Sequence, residues 1–200
     1  MTSRERVEAA LRHREPDRTP AFEYVLLSPI ASRILGRAFM YDSFDWAGVR
    51  AYDDWKRAVR QLAEDYVDLA HALGHDLIYI VPNPLPPAPS GPAPFGSAPD
   101  DPVEAVRLRN RAAAARMDGP RDELFLIYAE VKAEMDRRGV DLPILAPAYA
   151  HGVWTDTDLM QTMVLDPEAA REHFELATRW SLAMTDRYVE LGVDLIGVGG

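Results

Sequence analysis

Six side chains in this 200-residue sequence combine a reactive or binding type with a position at the end of a strand-like segment. Glu23 and Tyr24 lie at the first such segment, Asn83 follows the second, and Tyr149, His151 and Trp154 follow the third. In parallel α/β folds the loops after the strands build the active site, so position singles these residues out. His151, beside Gly152, is a candidate general acid or ligand because imidazole titrates near neutral pH. A hydrogen-bonded structural histidine is the alternative at that position. Glu23 is a candidate base or acceptor for substrate, with an ion pair to Arg18 or another cation as its alternative. Tyr24, Asn83, Tyr149 and Trp154 are candidate contacts to a small-molecule substrate. The remaining histidines, His13, His71, His75 and His173, lie on helices or beside a helix end, where solvated or capping roles suffice.

The elements that would position these residues repeat along the chain. Thr2-Ser3-Arg4-Glu5 is a capping box and predicts a short helix to about Arg14. Two prolines in Glu15-Pro16-Asp17-Arg18-Thr19-Pro20 then break the chain, and Ala21 to Val25 reads as a first strand. Between Tyr52 and Leu73, Trp55, Val59, Leu62, Tyr66, Leu69 and Leu73 recur at steps of three and four, which places them on one helix face. Gly74 suits the left-handed end of that helix, and Asp76 to Val81 follows as an apolar strand.

Gly74-His75-Asp76-Leu77 has two counterparts, Gly139-Val140-Asp141-Leu142 and Gly192-Val193-Asp194-Leu195, each between an amphipathic helix and an apolar run. In the last helix, Ala170, Phe174, Ala177, Ser181, Met184, Tyr188 and Leu191 share a face. Strands alternating with helices predict parallel βα units, with the three Gly-x-Asp-Leu segments at one end of the sheet. A doubly wound sheet and a barrel fit that pattern equally well. Nine of the sixteen prolines fall between Pro82 and Pro102. That stretch is either a spacer or an irregular loop bordering a site after the second strand.

With 48% hydrophobic and 27% charged residues the composition fits a soluble globular protein. The charged start from Met1 to Arg14 has no apolar secretory segment, and no run reaches membrane-spanning length, so a cytoplasmic protein is expected. A formal charge of −10 argues against nucleic acid or a negative membrane surface as partner. The absence of cysteine excludes a disulfide framework and a thiolate nucleophile within these residues.

Met1-Thr2-Ser3-Arg4-Glu5-Arg6-Val7-Glu8-Ala9-Ala10-Leu11-Arg12-His13, followed by Glu15-Pro16-Asp17-Arg18-Thr19-Pro20, resembles the start of uroporphyrinogen decarboxylase superfamily proteins. Leu165-Asp166-Pro167-Glu168 and the segment Tyr188-Val189-Glu190-Leu191-Gly192-Val193-Asp194-Leu195-Ile196 extend the resemblance. It implies a (β/α)8 TIM barrel: residues 1–18 as a helical lead-in, and 19–200 as the N-terminal half with about four βα units. Four strands cannot close such a barrel, so the resemblance implies a remainder beyond Gly200.

Two departures bear on the chemistry that the resemblance implies. Decarboxylases follow their first strand with an Arg-Gln-Ala-Gly-Arg-Tyr segment that pairs with substrate carboxylates. This sequence has Glu23-Tyr24-Val25-Leu26-Leu27-Ser28-Pro29, and its nearest look-alike, Arg33-Ile34-Leu35-Gly36-Arg37, comes late. Near the second strand end, where decarboxylases place an aspartate for the pyrrole N–H groups, stands Val81-Pro82-Asn83. The resemblance therefore points to the methyltransferase-like branch, moving a methyl group between a corrinoid or methylated small molecule and a thiol or related acceptor. Zinc and a corrinoid are the implied cofactors, bound through residues beyond Gly200, with a corrinoid protein as a possible partner. Alternatives are uroporphyrinogen decarboxylation and a non-catalytic barrel acting as a binding or scaffold protein.

Overall fold

The computed structural model describes residues 1–24, 26–39, 54–86, 99–115, 118–148 and 156–198. In chain order the elements are α1 (Ser3–Leu11), α2 (Ser28–Leu35), α3 (Trp55–Leu73), β1 (Ile78–Tyr79), α4 (Pro102–Ala114), a 3-10 turn (Asp122–Phe125), α5 (Leu126–Arg138), β2 (Ile144–Pro147), α6 (Thr157–Leu165), α7 (Pro167–Glu190) and β3 (Leu195–Gly197). The strands form one small parallel sheet in the order β1-β2-β3. Two compact units divide the chain: residues 1–87, 121–146 and 191–195 form the first, and 88–120, 147–190 and 196–200 the second.

In the first unit α1 begins at the capping box. Thr2 Oγ1 accepts the Glu5 N–H at 3.1 Å, and Glu5 Oε2 accepts the Thr2 N–H at 2.8 Å. Asp54 caps α3 by accepting the Arg57 N–H, and Gly74 ends it at φ 65° in the left-handed region, which has no Cβ penalty for glycine. The apolar stripe of α3 is buried at Trp55, Val59, Leu62 and Leu69, while Leu73 at the helix end is exposed. This helix packs chiefly on α5, whose Ile127, Tyr128 and Val131 are fully buried. Burying side chains such as Leu62 or Ile127 contributes roughly 1.5–3 kcal/mol each. Ile78 pairs with Ile144 and Tyr79 with Leu145 in parallel register. The Tyr128 hydroxyl donates to the Ile80 carbonyl at 2.8 Å, so this fully buried ring has its polar end satisfied.

The second unit is helical around α4, α6 and α7. Asp101, Asp156 and Asp166 accept the Glu104, Leu159 and Ala169 N–H groups, so each of its three helices starts at an aspartate cap. Val106, Leu159 and Ala170 form its core with Phe174 packed against them. Buried Asn110 donates to the Ala169 carbonyl and to Glu172, and its Oδ1 meets His173 Nδ1 at 3.1 Å. His173 thus has a structural partner in Asn110, beyond the solvated or capping role its helical position suggests.

The barrel expectation is overturned: the chain is mostly helical, and three short parallel strands are not four βα units of a TIM barrel. One physical reason lies at Ala21. Its N–H donates to the Asp76 carboxylate at 2.9 Å and its carbonyl accepts the Asp76 N–H at 2.8 Å, so these groups go to a turn instead of a strand ladder. Described residues 21–24 accordingly form no strand. The expected strand Asp76 to Val81 contracts to Ile78–Tyr79. Pro82, Pro84 and Pro86, which lack the N–H a ladder needs, follow it directly. A sheet of this size cannot close on itself.

Candidate functional site

The three Gly-x-Asp-Leu turns converge on α1 through their aspartates. Arg4 Nε donates to Asp141 at 2.9 Å, and Arg4 Nη1 pairs with Asp194. Arg6 donates to Asp76 at 2.5 Å and to Asp17 at 2.6 Å, while Ser3 and Arg18 add bonds to Asp76. Each turn precedes its strand in a parallel sheet, so the aspartates gather at the end from which the strands start. Burial by itself would push the fully buried Asp76 carboxyl up. The Ala21 N–H and the side chains of Arg6, Ser3 and Arg18 outweigh it and hold the group below the usual carboxylate range. Arg6 likewise depresses Asp17, and Arg4 depresses Asp141. The arrangement is a clamp whose carboxylates are all ion-paired, which suits holding turns together.

The clamp also sets the neighbouring geometry. By fixing Ala21 against Asp76, it lays Glu23 and Tyr24 beside His75 and Tyr79. The Tyr24 and Tyr79 rings lie 4.5 Å apart between centroids, inclined at 34°. Phe39 and Tyr66 complete an aromatic lining, edge to face at 6.1 Å. These side chains enclose a narrow cavity of about 40 Å³. That is room for a water or a single small group, and far below the several hundred Å³ of a site for a drug-sized molecule. Burial lowers the His75 imidazole from its ordinary value, an effect that the Glu23 carboxylate opposes.

Of the expected site residues, Glu23 and Tyr24 share this cavity, and both are largely exposed. Asn83 lies beyond the end of β1, is buried, and has partners within the chain for its side-chain amide and its backbone N–H. Its Nδ2 donates to the carbonyls of Pro84 at 3.0 Å and Glu123 at 2.7 Å, its Oδ1 accepts the Ile127 N–H at 2.9 Å, and its own N–H donates to Leu124. It therefore ties the segment after β1 to the start of α5. Tyr149, His151 and Trp154 lie outside the described residues, as do residues 87–98 of the proline-rich stretch. Residues 82–86 of that stretch are irregular, and Pro102 opens α4.

His75, Tyr66, Phe39 and Tyr79 carry the cavity, but position at a strand end does not single them out. One signal is available: His75 occupies the variable place of the Gly-x-Asp-Leu repeat, where the other two copies have Val140 and Val193. Among the described residues no group of three or more His, Asp or Glu side chains is placed to hold a metal ion. None of the described helices is long and apolar enough to cross a membrane. No family model matches the chain, and neither a curated protein nor a solved structure matches it.

Proposed function

We propose that the chain serves an enzyme of the uroporphyrinogen decarboxylase superfamily that transfers methyl groups instead of decarboxylating a porphyrinogen. The motifs at Arg4, Arg6, Arg18 and Asp194 that carry the resemblance belong to the clamp, so they support kinship through scaffold and leave the chemistry to other positions. One observation supports the methyl-transfer reading over decarboxylation. Asn83 stands near the place of the decarboxylase aspartate, and its amide is committed to Pro84, Glu123 and Ile127. It offers the pyrrole N–H groups no negative charge, and a cationic ring intermediate would gain no stabilisation from it.

The test follows methylcobalamin absorbance when the full-length protein is mixed with a small thiol acceptor, beside a second reaction containing uroporphyrinogen. Thiol-dependent loss of the methyl–cobalt chromophore with no coproporphyrinogen is the expected result. Coproporphyrinogen formation at roughly 1 per second or faster, an ordinary enzymatic rate, overturns the reading.

A further inference from the structure

We infer that the exposed face of α7 pairs antiparallel with the same face of a second copy of this chain, making a two-fold dimer contact. The contact lies within the second unit and is independent of the reaction the chain serves.

Along α7, Glu168, Arg171, Glu175, Arg179 and Leu182 follow one another at steps of three and four, which places them on one side of the helix. All five are exposed, whereas the opposite side buries Leu176, Met184 and Tyr188. The four charges alternate in sign along this row, beginning with an acid and ending with a base. Reversing the row therefore sets every charge against its opposite. An antiparallel copy turned about a point near His173 pairs Glu168 with Arg179 and Arg171 with Glu175, and each pair occurs twice. That reciprocity is what a two-fold contact between identical surfaces requires. A parallel copy in register would set each charge against its like.

These charges are available for such pairing. No ion pair joins Glu175 or Arg179 to another described residue, and Arg171 meets Glu168 at 3.4 Å between two exposed side chains. Beside the row runs a groove of about 610 Å³ lined by Met163, Pro167, Ala170 and Phe174. From the turning point near His173, Leu182 stands about 14 Å along the helix and Pro167 about 9 Å the other way, at 1.5 Å per residue. In the antiparallel pair, Leu182 of the second copy thus reaches past Pro167 toward the end of α6, where Met163 is exposed. Burial of these apolar side chains supplies the attraction, and the alternating charges fix direction and register.

Sedimentation velocity of the full-length protein over a roughly hundredfold range of concentration provides the test, with Arg171→Glu and Glu175→Arg run alone and then mixed. The parent is expected to form a concentration-dependent dimer. Each variant alone should weaken it about tenfold or more, because the two-fold axis repeats every reversed charge. Mixing the two should restore the dimer, since the acidic row of one variant then faces the basic row of the other. Both positions are exposed, so the far-UV circular dichroism spectra should match that of the parent. A monomeric parent overturns the inference. So does a dimer that neither variant weakens, or a mixture that sediments no differently from the two variants apart.

Discussion

Arg6 Nη1 donates to Asp76 Oδ1 at 2.5 Å, joining the first helix to the turn before β1 across 70 residues of sequence. Asp76 is fully buried, and it also accepts from Ser3, Arg18 and the Ala21 N–H. Loss of this carboxylate strands buried donors, whereas loss of any one donor leaves the others in place. Asp76→Ala is expected to destabilise the fold by about 3–5 kcal/mol, as for a broken buried ion pair. Arg18→Ala, whose side chain is 49% exposed, should cost under about 1 kcal/mol. Urea denaturation of the two variants measures the ratio, and equal losses would show that the clamp does not centre on Asp76.

The same carboxylates fix how stability follows pH. Asp17, Asp76 and Asp141 have folded-state values below their ordinary 3.8, so between the two values the unfolded chain binds more protons. Their contribution is complete above the ordinary carboxylate range and is lost as pH falls through the folded values. Stability should therefore drop steeply below about pH 4, with little contribution from these groups to any change between about pH 5 and 8. Denaturation midpoints across that range check the profile. A variant lacking the Asp76 carboxylate should show a shallower acid limb.

How far the fold could be read in advance depended on whether local chemistry decided it. The capping box at Thr2 and Glu5, the stripe from Trp55 to Leu69 and the left-handed ends at Gly74 and Gly139 follow from neighbours within a few residues. The fate of Ala21 to Tyr24 did not. Their composition suits a strand, but the deciding bond comes from Asp76, which is 55 residues away. Glu23 and Tyr24 were legible as candidates because a reactive type stood beside an apolar run. Their cavity partners Phe39, Tyr66 and His75 come from three separate segments, and only packing brings them together. Asn83 was visible by position, yet its commitment to Glu123 and Ile127 depends on a turn 40 residues downstream.

Glycines of the repeated turns offer a graded test. Gly74 and Gly139 each have φ 65°, and a Cβ at either would meet nothing within 4 Å, so alanine there bears only backbone strain of about 1 kcal/mol. At Gly192, φ 63°, a Cβ would sit 3.3 Å from Lys132 Nζ. That ammonium donates to the carbonyls of Leu191 at 2.6 Å and Gly192 at 2.8 Å. Gly192→Ala should therefore cost about 1 kcal/mol more than Gly74→Ala, through weakening of a charge-assisted bond. Thermal midpoints of the three alanine variants give the order, and a Gly192→Ala variant no worse than the other two would remove Lys132 from the account.

Replacing Asn83 by aspartate separates a structural amide from a displaced catalytic acid. The substitution conserves size and restores the charge that decarboxylases place near this position, so a site awaiting its acid should accept it. The contacts argue otherwise. In the Asn83→Asp variant an ionised carboxylate would keep the bond from the Ile127 N–H and gain from the start of α5, a benefit of about 0.3–1 kcal/mol. Against this, the carbonyls of Pro84 and Glu123, both bonded to the amide nitrogen, would face a carboxylate oxygen at a position only 1% exposed. The protonated form of the same carboxyl would satisfy one of those carbonyls and leave the other without its donor. The expected loss is about 2–4 kcal/mol near pH 8 and less near pH 5. That sign follows because the folded state would bind the proton more tightly than the unfolded chain, so stability falls as pH rises. Chemical denaturation of Asn83→Asp beside Asn83→Ala at the two pH values provides the measurement. An aspartate variant as stable as the parent at both would mean that the site tolerates an acid, and that the case against decarboxylation built on Asn83 fails.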